Sequence, residues 1–430
     1  MLSGRDIILV SSIEWDFNWQ GHQEIATRLA RAGNRVLYVE NTGVRAPGLR
    51  DARRVAQRFF HWAGSLADGG VRQVSPGLYV CSPLILPPFG SALRRRLNRH
   101  LLLPLLLRAV RHLRFDPEVV WTFLPTDTVV SLVRMLKRPR AVVVYYCIAD
   151  FAELSPHRER ILRSERSLIE MSDLIFAQGR RLAEHCASDG RKVEIFPFGV
   201  NLHRFTKANG QRNGKANGNG NGNGSPEEDE SDAARRGTAS DFLSALPRPV
   251  IGYVGGLHKF FDAGLLAEMA RARPEWSWVL VGPLQTPLRE LKRMPNVYLA
   301  GPKAHEELPD YIRGFDVGIV PYLSNGYTAT VVPTKINEYL AMGKPVVSTD
   351  LPEVSSFNVR HGVIITSPNR PREFVASIET ALRSSCEESV VNRRLNVAAL
   401  NDWETRSERM SQLIERELRR KARAARLPAR

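Results

Sequence analysis

The chain has 430 residues, of which 43% are hydrophobic and 25% charged, and its formal net charge is +16. This length is too great for one core and indicates two domains, while the absence of an apolar run of ~20 residues excludes a membrane span. The four cysteines form no C-x-x-C pair, which predicts a reducing compartment and no cysteine-bound zinc. Since the N-terminus shows no signal peptide, we expect a cytoplasmic protein attracted to an anionic partner.

The first half opens with a strand at residues 7–10, a helix at 23–32 and a strand at 35–39, which predicts a parallel sheet. In such sheets the loop after the first strand faces the ligand cleft. Here that loop reads S-S-I-E-W-D-F-N-W-Q-G-H-Q. It could contribute an acceptor site, and the candidate residues are Trp19, Gly21, His22 and Gln23. The alternative is that the tryptophans pack beneath the loop.

A strongly basic stretch follows, because residues 69–115 include no acidic side chain. Within it, segment 91–114 alternates seven arginines with clusters of leucine, and Pro104 is expected to kink or split the helix. This pattern is typical of a helix that lies on an anionic bilayer surface. A domain helix with a solvated arginine face is the alternative. Binding to nucleic acid is less favoured, because no binding motif accompanies the stretch.

Two further strands, predicted at residues 119–123 and 141–146, are each followed by a polar tip. Asp127 and Asp150 therefore lie where carboxylates would enter a cleft. Either could instead cap the helix that follows it, and capping is the favoured interpretation of Asp127.

Residues 207–240 are of low complexity and contain N-G-N-G-N-G-N-G followed by E-E-D-E-S-D. Such a segment cannot bury a core, so it is expected to be disordered. It is not a phosphate loop, because it neither follows a strand nor opens a helix. We therefore predict an N-terminal domain at 1–206 and a disordered linker at 207–246.

The second half begins with a strand at 249–254, the glycine turn Gly255–Gly256 and a helix from residue 263. A glycine turn that leads into a helix suits a diphosphate, and Lys259 is placed to neutralise it. We predict a second domain at 247–402, followed by an amphipathic helix and basic tail at 403–430.

Residues 331–347, V-V-P-T-K-I-N-E-Y-L-A-M-G-K-P-V-V, predict a loop, a short helix, a glycine stop and a strand. Lys335 and Glu338 share a face near the start of this helix. A cation that can meet a phosphate and a carboxylate that can bind sugar hydroxyls are thus combined. The alternative is a surface helix with one ion pair. The place of this stretch in a second Rossmann-like half favours the binding site.

The motif P-x-K-x-x-E-Y-L-A-M-G-K-P-V-V-S-T, preceded by F-D-V-G-I-V-P-Y, resembles the donor-binding signature of the retaining glycosyltransferases of family four. The segments W-D-F-N-W-Q-G-H-Q and R-V-L-Y-V-E-N resemble the bacterial branch that builds teichuronic acid and exopolysaccharides. The resemblance implies an α/β protein of the GT-B class, with two Rossmann-like parallel-sheet domains facing across a cleft.

On this resemblance, Glu338 would bind the nucleotide ribose. The diphosphate would be met by Lys335, by Lys259 and by the backbone from Val332 to Thr334. The family usually has a second glutamate eight positions before the first. Here that position is Thr330, and Asn325, Tyr327 and Thr328 could replace the carboxylate in part.

Glycosyl transfer places negative charge on the leaving diphosphate, so Lys259 and Lys335 are candidate electrostatic catalysts. His22 and Asp150 are the candidate catalytic groups on the acceptor side. The chain contains no D-x-D motif, which argues against a metal-dependent GT-A enzyme; we expect no metal site and no cofactor.

The predicted function is transfer of a sugar from a nucleotide sugar to a lipid-linked or polysaccharide acceptor, in cell-surface polysaccharide biosynthesis. The enzyme would be retaining and metal-independent, and peripheral on the inner face of the plasma membrane through residues 91–114. A nucleotide-sugar epimerase and a non-catalytic module that binds anionic membrane or a partner are the alternatives.

Overall fold

The computed structural model describes residues 1–16, 19–40, 70–83, 85–86, 91–187, 190–210, 239–384 and 387–425. The chain divides into two compact units, one formed by residues 1–197 and 404–430 and the other by residues 198–403. Each unit has a parallel or largely parallel sheet with its own core, so the predicted α/β class is confirmed. None of the helices in the described ranges is long and apolar enough to cross a membrane.

The strands of the first unit form one sheet in the order β3-β4-β2-β1-β5-β6-β7-β8. Their bounds are β1 Asp6–Val10, β2 Arg35–Val39, β3 Val71–Ser75, β4 Leu78–Cys81, β5 Val119–Thr122, β6 Val142–Cys147, β7 Leu174–Ala177 and β8 Val193–Ile195. All neighbouring pairs are parallel except β3 and β4. The central strands are buried on both faces, which explains why they read as unbroken apolar runs rather than alternating ones.

The helices of the first unit cover this sheet and include the C-terminal helix. Their bounds are α1 Gly21–Arg31, α2 Ala92–Leu97, α3 Leu103–His112, α4 Asp127–Leu136, α5 Phe151–Leu154, α6 Arg158–Met171, α7 Arg180–Cys186 and α15 Trp403–Ala424. A π-helical turn, Asn98–Leu102, joins α2 to α3. Pro104 accounts for this turn, because proline can donate no hydrogen bond to the preceding turn and clashes with its carbonyl. The predicted break in the basic helix therefore takes the form of a widened turn.

The second unit is a six-stranded, all-parallel sheet in the order β11-β10-β9-β12-β13-β14. The strands are β9 Val250–Val254, β10 Ser277–Val281, β11 Val297–Gly301, β12 Val317–Val320, β13 Val346–Thr349 and β14 Ile364–Ser367. This is the doubly wound order of a Rossmann sheet, in which the direction of strand addition reverses between β9 and β12. Ligands of such sheets bind outside the carboxyl ends of the strands at this reversal.

The helices of the second unit are α8 Leu202–Gly210, α9 Ala263–Ala272, α10 Leu308–Gly314, α11 Lys335–Ala341, α12 Pro352–His361, α13 Pro371–Arg383 and α14 Glu388–Leu400. The expected helix, glycine stop and strand of 331–347 are thus present as α11, Gly343 and β13. Gly343 has a φ of +69°, the left-handed conformation that ends helices.

The predicted linker is only partly within the described ranges, since residues 211–238 lie outside them. Residues 239–244 are helical, with Ala239 and Leu243 buried in the core of the second unit. Disorder was therefore the wrong prediction for residues 239–244. Their apolar side chains pack where Gly314 leaves room: a Cβ on that glycine would lie 2.4 Å from Leu243.

The C-terminal helix α15 belongs to the first unit rather than to an independent segment. Near its end, Lys421 Nζ lies 2.6 Å from Asp173 Oδ2 and donates to the carbonyl of Ala141. Near its start, Glu404 pairs with Arg28 of α1. These two ion pairs fasten both ends of the helix. The last part of the predicted basic tail, residues 426–430, lies outside the described residues.

Candidate functional site

The best-formed candidate site lies at the carboxyl ends of β9 and β12, where Gly255 and Lys335 meet. Gly255 follows β9 with a φ of +126°, a conformation that favours glycine. A Cβ on Gly255 would lie 3.0 Å from Lys335 Cε and 3.3 Å from Lys335 Nζ. The glycine therefore allows the lysine to cross close to the backbone of the turn. The Gly255–Gly256 turn and the 331–347 stretch, each predicted to meet a diphosphate, are thus in contact.

Lys335 is only 8% exposed, and its ammonium group is held by two tyrosines. Nζ lies 2.6 Å from the hydroxyl of Tyr322, to which it donates a hydrogen bond. The same nitrogen lies 5.1 Å from the ring centre of Tyr253 and 4.9 Å from that of Tyr322. Such contacts stabilise a partly desolvated cation. An ammonium has three donors, so this contact leaves capacity for an anionic ligand.

His258 and Lys259 follow the glycine turn and differ in charge. Burial, followed by the charges of Lys335 and Lys259, lowers the pKa of His258 to about 4, so its imidazole is neutral at physiological pH. Lys259 is exposed, and its Nζ lies 4.9 Å from the ring centre of Phe260. The two lysines thus differ in environment: Lys335 is buried at the turn and Lys259 lies at its edge.

The turn itself is braced by backbone contacts from the neighbouring strand. The N–H of Gly255 donates to Val281 of β10 at 2.8 Å, and the hydroxyl of Tyr253 donates to the carbonyl of Gly256 at 3.0 Å. Gly282 has a φ of +147°, and a Cβ there would lie 2.0 Å from the Gly255 carbonyl oxygen. Gly282 is therefore required for the close approach that fixes Gly255.

Glu338 lies one turn along α11 from Lys335 but has a different partner. Its Oε1 is 3.5 Å from Nε2 of His305, and both side chains are largely buried. The other ring nitrogen of His305 lies 2.6 Å from a guanidinium nitrogen of Arg204. Because arginine can only donate, Nδ1 accepts and the proton of a neutral His305 lies on Nε2, directed at Glu338. The alternative of a simple Lys335–Glu338 ion pair is therefore wrong.

Helix α11 is fixed on the sheet by Tyr339, whose ring is fully buried. Its hydroxyl accepts a hydrogen bond from Val254 N at 2.9 Å. The ring fits over β12 because residue 318 is glycine; a Cβ there would lie 2.6 Å from the ring. Asn337, also buried, donates to the carbonyl of Phe198 at 3.1 Å. These contacts set the position of the Lys335 and Glu338 side chains.

The three threonines predicted to bind the donor differ in accessibility. Thr328 is fully buried, and its hydroxyl donates to Leu323 O while accepting from Asn325 N. It therefore stabilises the loop, and its assignment as a donor contact was wrong. Thr330 is partly exposed but donates to the carbonyl of Tyr327 at 2.8 Å. Thr334 is half-buried and precedes α11 without capping it through its side chain.

In the first unit, the structure contradicts the assignment of His22 and Gln23 to an exposed acceptor site. Both side chains are fully buried. His22 packs on the ring of Phe123, with centroids 4.1 Å apart, and hydrogen-bonds Ser12; burial lowers its pKa to about 3. Gln23 accepts from the N–H of Gln20 at the start of α1. Both residues therefore hold the loop in place instead of facing a substrate.

The tryptophans follow the packing alternative. Trp15 stands edge-on to Tyr38, with ring centroids 5.0 Å apart, and to Trp19, at 5.8 Å. Trp19 donates from Nε1 to Glu24 at 2.7 Å. Gly21, the first residue of α1, is buried. Packing among rings and a hydrogen-bonded indole nitrogen account for these residues without a ligand.

The two aspartates after β5 and β6 have different roles. Asp150 caps α5 by accepting from the N–H groups of Ala152 and Glu153. Helix capping therefore accounts for this carboxylate, and its catalytic role stays a prediction. The cap of α4 is Thr126, not Asp127, which corrects the favoured interpretation. Asp127 instead lies 3.6 Å from Arg95.

One group of side chains among the described residues has ligand atoms close enough to hold a metal ion. It consists of Cys147, Glu165 and Cys186, whose ligand atoms lie within 4.8 Å of one another. Glu165, however, already accepts from Tyr145 at 2.5 Å and pairs with His185 at 2.8 Å. Internal hydrogen bonds thus account for this carboxylate.

Sequence reasoning missed three residues of the site: Tyr322, His258 and His305. Tyr322 and His305 follow β12 and β11, and His258 follows the Gly255–Gly256 turn, so position at a strand end was the available signal. Nothing in their spacing indicated which lysine or carboxylate each would contact.

The two Rossmann-like units have the fold of the GT-B class. Over 96% of this chain, the fold is similar to sucrose-phosphate synthase from Thermosynechococcus elongatus, with a TM-score of 0.64, 17% identity and 99% of that chain covered. Anabaena HepE in complex with UDP gives a TM-score of 0.62 at 14% identity, covering 95% of this chain and 99% of that chain. A HepE complex with UDP-glucose gives a TM-score of 0.60 at 14% identity, covering 96% and 99%.

Residues 248–384 match the family of glycosyl transferases group 1, and this segment is a domain of that family. A curated relative is TuaH of Bacillus subtilis (strain 168), named as a candidate teichuronic acid biosynthesis glycosyltransferase. It is 35% identical over 158 residues, which cover 36% of this chain and 40% of TuaH. The match therefore spans less than half the length of that relative. The predicted family resemblance and fold are confirmed.

Proposed function

We propose that the protein transfers a sugar from a nucleoside diphosphate sugar to a lipid-linked or polysaccharide acceptor in cell-surface polysaccharide synthesis. The observation that carries the proposal is the meeting of Lys335 with the Gly255 turn inside the group 1 domain. A largely buried ammonium at the switch point of a Rossmann sheet suits a diphosphate. The UDP and UDP-glucose of the HepE complexes supply the ligand class, and the name of TuaH the pathway.

In the proposed reaction, the bond between the sugar's anomeric carbon and the diphosphate oxygen breaks, the acceptor's hydroxyl oxygen bonds to that carbon, and the hydroxyl proton passes to the leaving diphosphate. Lys335 would stabilise the charge that grows on the leaving diphosphate, with Lys259 contributing from the edge of the turn. Glu338, oriented by His305, would accept hydrogen bonds from the ribose hydroxyls. The neutral imidazole of His258 would add a polar group without opposing the lysines.

We propose retention of anomeric configuration on the strength of the family resemblance, and metal independence from the lack of a D-x-D motif. Thr330 occupies the position where relatives usually carry a carboxylate, so the sugar side of the site differs from theirs. NMR assignment of the product's anomeric proton tests the stereochemistry. An inverted product would refute retention without affecting the assignment of the donor site.

The decisive experiment for transfer is a panel of nucleotide sugars incubated with the purified chain, with and without a membrane extract that contains acceptors. We expect nucleoside diphosphate release that depends on both donor and acceptor and is lost in Lys335→Met. Conversion of the donor without acceptor would instead indicate an epimerase. If the protein binds no nucleoside diphosphate, the alternative of a non-catalytic module is favoured instead.

We further propose that the protein works at the inner face of the plasma membrane, with residues 91–114 on the anionic surface. The support is an exposed leucine stripe beside arginines: Leu93 is 67% exposed, Leu97 38% and Leu101 56%. Apolar contact and basic charge together favour an anionic bilayer. The variant Leu93→Gln/Leu101→Gln keeps every charge and should weaken co-sedimentation with phosphatidylglycerol vesicles. Unchanged co-sedimentation of this variant would show that the leucine stripe is only a solvated helix face.

A further inference from the structure

A well-formed cavity in the first unit has none of the residues assigned above to donor or acceptor among its lining residues. It has a volume of about 610 Å³, within the range of small-molecule sites. Its walls come from three regions: α2 with the π-helical turn, α4, and α6. Six arginines line it: Arg95, Arg96, Arg99, Arg134, Arg160 and Arg163.

The charge in this cavity is unbalanced. Asp127 is the only acidic side chain among the lining residues, against six guanidinium groups. Burial raises the pKa of the Asp127 carboxyl, and the nearby charges of Arg95 and Arg160 oppose that rise. One carboxylate cannot satisfy guanidinium groups from three helices. The remaining positive charge therefore favours an anion from solution.

Hydrogen-bond donors in the wall also lack acceptors. Among the described residues, Nη1 of Arg95 and Nη1 of Arg160 are buried and make no hydrogen bond. Oδ1 of Asp127 is likewise buried and unpartnered. A buried donor without an acceptor costs roughly 1–3 kcal/mol. The four other arginines of the wall are exposed, so their planar guanidinium groups are open to an oxyanion and can bind phosphate through paired N–H donors.

The walls of the cavity are held together by a buried side chain that joins two of the three regions. Asn98, 1% exposed, donates to Leu86 O at 2.7 Å and lies 3.4 Å from Thr128 Oγ1 on α4. It is the first residue of the π-helical turn, where Leu103 N–H bonds Asn98 O. Single π turns within α-helices are frequent at functional sites. This turn places Arg99 at the cavity alongside Arg95 and Arg96.

We propose that this arginine cavity binds a ligand that carries phosphate groups, at a site in a different unit from the Lys335 site. The ligand chemistry is a phosphate ester or diphosphate, from either a lipid headgroup or a soluble compound. A smaller cavity of about 340 Å³ adjoins it through Arg96 and His100 and is otherwise lined by Leu93, Leu97 and Leu101. The proposal does not depend on the transfer reaction.

The test is titration calorimetry with inorganic pyrophosphate on the full chain in a Lys335→Met background, which removes the lysine of the other site. Arg95→Gln/Arg160→Gln should weaken binding roughly 10- to 100-fold. The matched control, Arg138→Gln/Arg140→Gln, removes the same charge from exposed positions outside the cavity and should change affinity less than about threefold. Equal losses in the two variants would overturn the proposal.

A second variant guards against loss of folding. Asp127→Asn removes the one negative charge of the wall, so pyrophosphate should bind several-fold more tightly, a gain that unfolding cannot produce. Weaker binding would overturn the proposal.

Vesicle co-sedimentation then separates the two sources. If Arg95→Gln/Arg160→Gln also abolishes binding to phosphatidylglycerol vesicles, the phosphate belongs to a lipid headgroup. If vesicle binding is unchanged while pyrophosphate binding is lost, the phosphate belongs to a soluble ligand.

Discussion

Replacing Lys335 by methionine is the sharpest test of the donor site. Methionine keeps a long, flexible side chain between Tyr253 and Tyr322 but removes the charge and the hydrogen bond to Tyr322. A hydrogen bond to a charged group contributes about 1.5–3 kcal/mol, which corresponds to a roughly 10- to 150-fold loss in affinity for a nucleoside diphosphate. We apply this free-energy range without a reduction for solvent screening, because Lys335 is only 8% exposed.

The measurement is titration calorimetry with UDP, GDP and ADP, together with thermal unfolding to confirm that the variant is folded. The matched control is Lys259→Met, which removes a charge from an exposed side chain at the edge of the same turn. We expect it to weaken binding by less than about threefold, since exposed ionic contacts contribute little. Equal effects of the two substitutions would refute the reasoning that burial decides which lysine binds the diphosphate.

Three further predictions concern the turn, the carboxylate and the pairing of His185 with the buried Glu165. Gly282→Ala should destabilise the protein by roughly 1–3 kcal/mol and weaken nucleotide binding, because its Cβ would meet the Gly255 carbonyl; denaturant unfolding measures this. Glu338→Gln should lower affinity for nucleoside diphosphates but not for pyrophosphate, measured by calorimetry. The Glu165 hydrogen bond, opposed by burial and supported by the Glu165 charge, raises the pKa of His185 to about 9. His185→Asn should therefore lower the Tm at pH 6 and have little effect at pH 10.

The sign of the His185 prediction follows from linkage. A histidine whose pKa is higher in the folded state than its ordinary 6.5 contributes stability that is complete below pH 6.5 and lost as the pH rises through 9. A Tm difference that persists at pH 10 would contradict the assignment. For Glu338, an equal loss of pyrophosphate affinity would show that the carboxylate does not act through the ribose. For Gly282, Gly301→Ala is a suitable comparison, since a Cβ there meets no atom within 4 Å.

Much of the second unit was predictable because its signals are local. The strand, glycine turn and helix around Gly255 follow from short-range sterics, and the stop at Gly343 from its left-handed backbone. The partners of Lys335 and Glu338 were not predictable. Tyr322 and His305 are 13 and 33 residues from them along the chain, and only the winding of the sheet brings them together.

The first unit shows the opposite case. His22 and Gln23 stand in a polar-rich loop whose sequence is typical of a binding site, yet both are fully buried and brace the start of α1. Burial is a property of the packed unit, and a polar residue in a loop can equally be a hydrogen-bonded core residue. The arginines of 91–114 could be read as a solvated or membrane-facing surface. The cavity they form depends on Arg160, which lies on another helix.

The sequence by itself determined two α/β units, a basic helix, and a lysine and a carboxylate near the start of a short helix, because apolar runs, glycine stops and charge act over a few residues. The tertiary structure decided which of those charges are buried and what they face. It placed Lys335 among tyrosines, directed Glu338 at His305, and gathered arginines from three helices around a single aspartate. Those outcomes depend on contacts between distant segments, which exist only once the sheets have formed.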